Sequence, residues 1–509
     1  MKRYVVPILL LVGCVVLFGF NLGDLGLLKG DENYYFSSGR RMIREGDWIT
    51  PRYHHHIRFE KPVLYYWIVA LFFKLFGVSW TIARLTSVIF GGLTVLLTYL
   101  LSLRLLPKRA AYLSPIVLAT SFLFFRYSRI AVIDMTFLFL ITLCLFLFIK
   151  GGREDKKKYL ILSFVPLGLS VLAKGPLGLI IVGIIIVFYL AMTKKMYFLK
   201  GIHLVLGIFI LLLIVLPWPT LMYNTHGPEY LTHLWEVETV DKVVGSVVKL
   251  ENVNNIPWFA IKYIGYYIPV IIFTFAPWSL LLTFALFKKL RTNREEDRIF
   301  ILSWFWCIFI FFTIASFKHT HYMLLLSPPM AMIIAGFFTS AKKGSVFQKA
   351  PVIITAITIV IFVSLTGFIL PALDDGTLKM FSLKLSSEMQ KQDEEIGIAS
   401  SNFNLKKIGI FLNNLVSTTD ELGGDDLAQY RLINKDYIVP FLESKERVYC
   451  LITKTDYLHS VPKELQKRLY VLEKNLMWKK FNLKEYLPLM AKRDWDSLKE
   501  EAYLISNRR

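Results

Sequence analysis

Long apolar runs recur from the N-terminus to residue 371, near 7–27, 80–104, 111–126, 131–149, 159–174, 176–193, 202–220, 262–287, 298–315, 322–340 and 350–371. A helix needs roughly 20 apolar residues to cross a hydrocarbon core about 30 Å thick. Lipid offers the backbone no hydrogen-bond partners, so segments of this kind must be helical. The pattern predicts an α-helical polytopic membrane protein with about eleven transmembrane helices, the shortest runs being the marginal ones. Composition agrees, since 55% of the 509 residues are hydrophobic and only 19% are charged. A soluble domain does not need that much apolar surface.

The formal net charge of +21 would suit nucleic acid only if the cations shared one water-facing surface. They fall instead in short clusters between the apolar runs. With the N-terminus inside, the connections expected to be cytoplasmic are Arg104 to Arg109, Lys150 to Lys158, Lys194 to Lys200, Lys288 to Arg298 and Lys342 to Lys349, and all five are basic. That is the charge bias of cytoplasmic loops. The cluster Arg153-Glu154-Asp155-Lys156-Lys157-Lys158 is adequately explained as the same topology signal. Met1-Lys2-Arg3 and the run behind it read as an uncleaved first helix rather than a signal peptide, because the apolar stretch continues to about Leu28 without a small-x-small site. The four cysteines, Cys14, Cys144, Cys307 and Cys450, form no CxxC pair and no disulfide framework.

Two outward segments, 28–79 and 221–261, are too long to be turns. The first holds a polar helix-like stretch, Asn33 to Glu45, and a run of about 14 apolar residues, Val63 to Phe76, which suits an interfacial or re-entrant helix better than a span. After Pro371 the composition becomes charged and mixed, with strand-like pieces at Ile396 to Ala399, Lys407 to Phe411 and Arg447 to Ile452. The expected organisation is a transmembrane domain over 1–371 and a small soluble α/β domain over 372–509, the latter outside by the count of spans.

Charged residues gather in the outward segments, where burial beside a membrane is costly and usually functional. Asp31 and Glu32 follow the first span, and a solvated carboxylate pair is the bland reading of them. Three spaced motifs surround the pair: Gly30-Asp31-Glu32-Asn33-Tyr34-Tyr35, Gly46-Asp47-Trp48-Ile49-Thr50-Pro51 and Phe59-Glu60-Lys61-Pro62-Val63-Leu64-Tyr65-Tyr66-Trp67. Further on, Asp134 follows Arg129-Ile130-Ala131-Val132-Ile133, and Lys318-His319-Thr320-His321-Tyr322 precedes the tenth span. Asp134 could equally serve as a structural partner of Arg126 or Arg129, and Tyr322 as an interfacial belt residue. Lys174-Gly175-Pro176 fits an outward functional residue and a plain turn alike.

These motifs resemble the C-type glycosyltransferases that use polyprenyl-phosphate sugars, nearest to the bacterial aminoarabinose transferases of lipid A, with protein mannosyltransferases as more distant relatives. The resemblance covers roughly residues 1–345 and is strongest between Gly30 and Trp67. It implies an enzyme, with Asp31, Glu32 and Asp134 as catalytic acids and Lys61, Tyr322 and Lys242 contacting the carrier phosphate. Glu60 takes the place of a metal ligand. Four positions depart from the aminoarabinose transferase pattern: Val63 replaces a proline, Tyr34 an arginine, Thr239 a metal-binding histidine and Lys242 an arginine. One remaining carboxylate makes a poor zinc site, so no cofactor is firmly expected, and a divalent metal, zinc or magnesium, is admitted only at Glu60 with help from His54-His55-His56.

What the resemblance implies is inverting transfer of a sugar from undecaprenyl or another polyprenyl phosphate to a lipid acceptor, lipid A or the lipopolysaccharide core. The partners are the carrier-linked sugar, the acceptor and the bilayer, and no nucleic acid. The expected location is the bacterial inner membrane, with the N-terminus cytoplasmic and the C-terminal domain periplasmic. The departures leave the sugar open, galacturonic acid suiting the sequence as well as aminoarabinose. Alternatives are transfer to a polypeptide hydroxyl, as in protein O-mannosyltransferases, and transport of lipid-linked sugars, which would call for broken helices with polar residues near the midplane.

Overall fold

A computed structural model describes residues 2–23, 31–53, 56–232, 265–287, 290–315, 318–339 and 346–369, and beyond them 381, 384, 397–400, 430–432, 438–443, 448–478, 497 and 499–508. The chain divides into two compact units, Met1–Gly367 and Phe368–Arg509.

The first unit is helical. Six helices among the described residues are long and apolar enough to cross a membrane, and three shorter apolar helices accompany them. In chain order the elements are α1 (Lys2–Gly19), α2 (Asp31–Glu45), α3 (Leu64–Phe76), α4 (Trp80–Leu105), α5 (Lys108–Ala119), α6 (Phe122–Tyr127) and α7 (Ile133–Glu154). They continue with α8 (Lys157–Leu162), α9 (Phe164–Lys174), α10 (Leu177–Met192), α11 (Ile202–Val215), α12 (Pro217–His226) and α13 (Pro228–Thr232). After 233–264, which lie outside the described residues, come α14 (Tyr267–Thr274), α15 (Ser279–Phe287), α16 (Glu295–Ile314), α17 (Ser327–Thr339) and α18 (Val346–Ser364).

Several runs that read as continuous in the sequence are broken. The run 111–126 breaks at Thr120-Ser121, 159–174 begins with a break at Ser163, and 262–287 divides between α14 and α15. Side-chain hydroxyls mark two of these breaks, with Thr120 Oγ1 donating to the Ile116 carbonyl at 2.6 Å and Ser163 Oγ to the Leu160 carbonyl at 2.6 Å. Ser and Thr compete with the helix ladder in this way.

At the centre α4 lies against α1, α3, α5 and α7, while α7 also meets α8, α9 and α10. The core follows from this: in α7 the window long enough to span is 78% buried, whereas in Ile202–His226 it is 11% buried. Helix α11 therefore turns apolar side chains such as Val205, Phe209 and Leu213 outward, as a lipid-facing helix does.

The polar helix expected at Asn33 to Glu45 forms as α2, and the apolar run after Pro62 as α3, 13 residues long. Both are packed together by rings, with Tyr35 4.8 Å from Tyr65 and Phe36 5.0 Å from Phe73. Gly39 makes the crossing close, because a Cβ there would stand 2.8 Å from Val69 Cγ1 and 3.2 Å from the Ala70 nitrogen. The second outward motif is a turn built from its own side chains. Asp47 Oδ1 accepts from the backbone of Ile49 and Thr50, Trp67 Nε1 donates to the Trp48 carbonyl at 2.6 Å, and Trp218 Nε1 to that of Ile49 at 2.9 Å.

Two short strands of the first unit, β1 (Arg52–Tyr53) and β2 (His56–Ile57), pair antiparallel. The second unit contains a five-stranded sheet of order β4-β3-β5-β7-β6, with β3 (Gly397–Ser400), β4 (Tyr430–Leu432), β5 (Val448–Thr453), β6 (Tyr470–Trp478) and β7 (Lys499–Ser506). Strand β3 pairs in parallel with β4 and β5, and β7 pairs antiparallel with β5 and β6. Every residue of β5 is buried, which is what a central strand covered on both faces requires. The strand expected at Lys407 to Phe411 lies outside the described residues.

Replacing Gly39 by valine should force α2 and α3 apart at a cost of about 1–3 kcal/mol. A lower melting temperature of the purified variant would register this; an unchanged one would contradict the close crossing.

Candidate active site

Helix α2 begins at Asp31, so the first two residues of the outward motif are placed by one turn of helix. They part company at once. Asp31 is exposed, while Glu32 is completely buried. Glu32 meets Arg84 of α4, itself 1% exposed, through Nε to Oε1 at 3.0 Å and Nη2 to Oε2 at 3.2 Å. Oε1 also accepts from the backbone nitrogen of Ala131 at 2.8 Å, and Arg84 Nη1 donates to the Leu22 carbonyl at 3.0 Å. A carboxylate held in this way is a staple joining α2, α4 and the approach to α7.

Ala131 stands three residues before Asp134, which lies in the first turn of α7. Asp134 pairs with neither Arg126, which is exposed, nor Arg129, which donates from Nη1 to the Phe18 carbonyl at 2.8 Å near the end of α1. Its partner is Lys174, Nζ to Oδ1 at 2.5 Å. Lys174 ends α9, and Gly175 at φ 70° turns the chain into α10. The Lys-Gly-Pro segment is thus both a turn and the source of the side chain that meets Asp134.

Asp134, Lys174, His321 and Tyr322 line one cavity whose apolar walls include Phe137 and Leu324. His321 Nε2 lies 3.9 Å from Asp134 Oδ1, and Lys174 Nζ 5.9 Å from the centre of the Tyr322 ring. The segment carrying His321 and Tyr322 is anchored by Lys318, whose Nζ donates to the carbonyls of Phe312 and Thr313 at 2.8 and 2.6 Å. Burial lowers the Lys318 ammonium to about 8. Tyr322 stacks on Phe312 at 4.4 Å.

The third motif is arranged around Arg58. Its guanidinium lies 3.9 Å from the Tyr34 ring centre, its Nε donates to the Tyr66 hydroxyl at 3.2 Å, and Glu60 Oε2 is 3.6 Å away. Lys61 is half-buried just before α3. Tyr35 links this group to the acids: burial raises its phenol well above the ordinary value, and Tyr66, Asp134 and Asp31 push it the same way. The structure thus brings Asp31 and Asp134 into the electrostatic range of one side chain. Lys242 and Thr239 lie outside the described residues.

Glu60 Oε2 accepts no hydrogen bond among the described residues, and the cation it faces is the Arg58 guanidinium at 3.6 Å. No group of three or more His, Cys, Asp or Glu able to hold a metal occurs among the described residues. His54 and His55 lie outside them. Among the described residues, then, the donors do not make up a metal site.

Residues 60–220 match the family model described as dolichyl-phosphate-mannose-protein mannosyltransferase. An uncharacterized protein of Aquifex aeolicus is 33% identical over 347 residues, 68% of this chain and 66% of that protein. The undecaprenyl phosphate-alpha-4-amino-4-deoxy-L-arabinose arabinosyl transferase 2 of Proteus mirabilis is 30% identical over 336 residues, 65% of this chain and 59% of that protein. The chain belongs to the aminoarabinose-transferase-like glycosyltransferases of the protein mannosyltransferase superfamily. The crystal structure of ArnT from Cupriavidus metallidurans bound to undecaprenyl phosphate superposes with a TM-score of 0.68 over 98% of this chain and 97% of that one, at 17% identity, and so shares the fold. The matches span 66% and 59% of the lengths of the Aquifex and Proteus relatives.

Within this glycosyltransferase, sequence reasoning passes over Arg84, Arg58 and His321. Arg84 carried a usable signal, a cation inside the apolar run of α4, where charge needs a partner. Arg58 and His321 carried none, because only the fold shows that they meet Tyr34 and Asp134.

The staple predicts a specific pattern. Arg84→Met leaves Glu32 buried without its cation and should cost about 3–5 kcal/mol. Glu32→Gln added to it keeps an acceptor for Ala131 and should restore part of the loss. Melting curves of the single and double variants test this, and an Arg84→Met protein as stable as the parent would refute the staple.

Proposed function

We propose that this glycosyltransferase moves a sugar, with inversion, from undecaprenyl or another polyprenyl phosphate to a lipid acceptor, lipid A or the lipopolysaccharide core. The observation that carries the reading is the cavity in which Asp134, Lys174, His321 and Tyr322 converge. A carboxylate, two basic groups and a phenol over an apolar wall suit a polar sugar phosphate whose tail is a lipid. The relatives named as arabinosyl transferases of undecaprenyl phosphate aminoarabinose support the donor class.

In the proposed reaction an acceptor oxygen bonds to the anomeric carbon as the bond from that carbon to the carrier phosphate breaks. The electron pair leaves with the phosphate. Lys61 and Tyr322 meet the developing charge, Lys61 as a cation and Tyr322 as a hydrogen-bond donor, with Lys242 as a further cation; preorganised donors of this kind are often the largest catalytic contribution. For a hydroxyl acceptor, Asp31 takes the proton; for an ionised phosphate acceptor no base is required, and Asp31 positions the reactants. Asp134, paired with Lys174, orients the sugar.

We further propose eleven crossings, the N-terminus cytoplasmic and the C-terminal α/β domain, residues 372–509, outside, with the reaction on the outer face of the bacterial inner membrane. The polarity of α7 supports this. Asp134 opens the helix and Arg153 lies in its last turn, about 28 Å away along the axis, so the cavity and the basic connection at Lys150 to Lys158 occupy opposite ends of one helix.

Purified protein, a radiolabelled polyprenyl-phosphate sugar and a lipid A-type acceptor should yield labelled lipid. Asp31→Asn and Lys61→Ala should each lower the rate by about 10² or more. Transfer at the parental rate in both would overturn the site. Failure to transfer any carrier-linked sugar, with movement of the intact donor across vesicles, would favour a transporter.

A further inference from the structure

A second cavity lies at the end of α7 remote from Asp134, between α7, α10 and the start of α16. Its apolar wall includes Phe148, Leu190 and Phe198, and its polar rim Arg153, Lys195, Arg294 and Glu296. The sugar-transfer reading makes no use of this cavity, and a role for it stands independently of that reading.

The charges on the rim do not cancel. Arg153 pairs with Asp297, and Lys195 Nζ lies 2.7 and 2.8 Å from the two carboxylate oxygens of Glu296. Asp297 is used a second time, accepting from the backbone nitrogen of Arg294 at 2.9 Å. The Arg294 side chain has no carboxylate in ion-pair contact among the described residues. Three cations against two carboxylates leave one positive charge, the complement of a single phosphodiester. A small soluble anion would satisfy the charge but would have no use for the wall beside it. Beside the lining residues Tyr189, Leu190 and Phe198 in the chain, Phe188 and Met192 of α10 and Tyr197, stacked on Phe198, are 48%, 56% and 61% exposed, so apolar surface adjoins the charged groups. Anion and apolar tail are wanted together. Basic pockets between transmembrane helices take anionic lipid headgroups on these grounds.

We propose that this cavity binds the headgroup of an anionic glycerophospholipid, its phosphodiester on Arg294 and Lys195 and its acyl chains along Met192 and Phe188. The lipid would tie α7, α10 and α16 together. Because Asp134 lies in the first turn of α7 and α10 starts three residues after Lys174, bracing their far ends also steadies the opposite cavity.

The test uses the full chain in nanodiscs of phosphatidylcholine alone or with added phosphatidylglycerol. Melting temperature and lipid retained in native mass spectrometry are read in both. Phosphatidylglycerol should raise the melting temperature and remain bound at about one molecule per chain. In Lys195→Gln with Arg294→Gln the rise should vanish and retention fall by about tenfold or more. Lys195→Gln also breaks the contact with Glu296, so each variant is compared with itself between the two lipids, and Arg294→Gln alone, which breaks no ion pair, should show a partial loss. Lys157→Gln with Lys158→Gln, on the exposed start of α8, should keep the full rise. Equal retention in the Arg294 variants and the parent, or an equal loss in the Lys157 and Lys158 variant, would overturn the proposal. A rise produced by inorganic phosphate alone would overturn the lipid as its source.

Discussion

Glu32 and Arg84 are withdrawn from water together, and much of the arrangement around α2 follows from that. Moving a carboxylate and a guanidinium into a low-dielectric interior is expensive for each alone, and their attraction offsets the cost only when geometry is good and the remaining hydrogen-bonding capacity is used. Here both conditions hold, with two contacts at 3.0 and 3.2 Å, a backbone donor on Glu32 and the Leu22 carbonyl on Arg84. One pair therefore fixes the start of α2, the first turn of α4, the exit from α1 and the approach to α7. Asp31 and Asp134 inherit their places from it, one residue and three residues from its fixed points.

Helix α7 carries this order across the bundle. It is largely buried, as a central helix must be, and its two ends differ in chemistry. One end presents Asp134 to Lys174 and His321, the other presents Arg153 to Asp297 beside Lys195 and Arg294. One buried apolar helix thus carries a polar cavity at each end. The outer helices contribute differently: α11 and α18 turn apolar residues such as Phe209 and Val360 outward, forming the boundary with lipid rather than the site.

Much of the helical layout was legible because lipid imposes a simple rule on apolar runs. The rule says nothing of breaks, so Thr120-Ser121 and Ser163, where hydroxyls answer local carbonyls, divided runs that looked continuous. Charge marked candidate residues but not their partners. Asp31 and Glu32 look alike as neighbours in sequence, and one helical turn sends the first toward solvent and the second into the core. Asp134 had two arginines within eight residues, yet met a lysine forty residues away. The Gly46 to Pro51 motif, similar in spacing to a functional loop, is accounted for by the Asp47 turn and two tryptophan hydrogen bonds. Where the pattern was local it could be read, and where it depended on which helices touch it could not.

In the proposed reaction the outward residues around Asp31, Lys61 and Asp134 break the bond between a sugar and a polyprenyl phosphate and form a new one with a lipid. The stereochemistry at the transferred carbon tests it most directly. A donor of defined anomeric configuration, labelled at the anomeric carbon, would be incubated with purified protein and acceptor, and the lipid product examined by NMR. Direct displacement predicts a single new linkage of inverted configuration. Retained configuration, or recovery of the donor intact on the other side of the membrane, would contradict it.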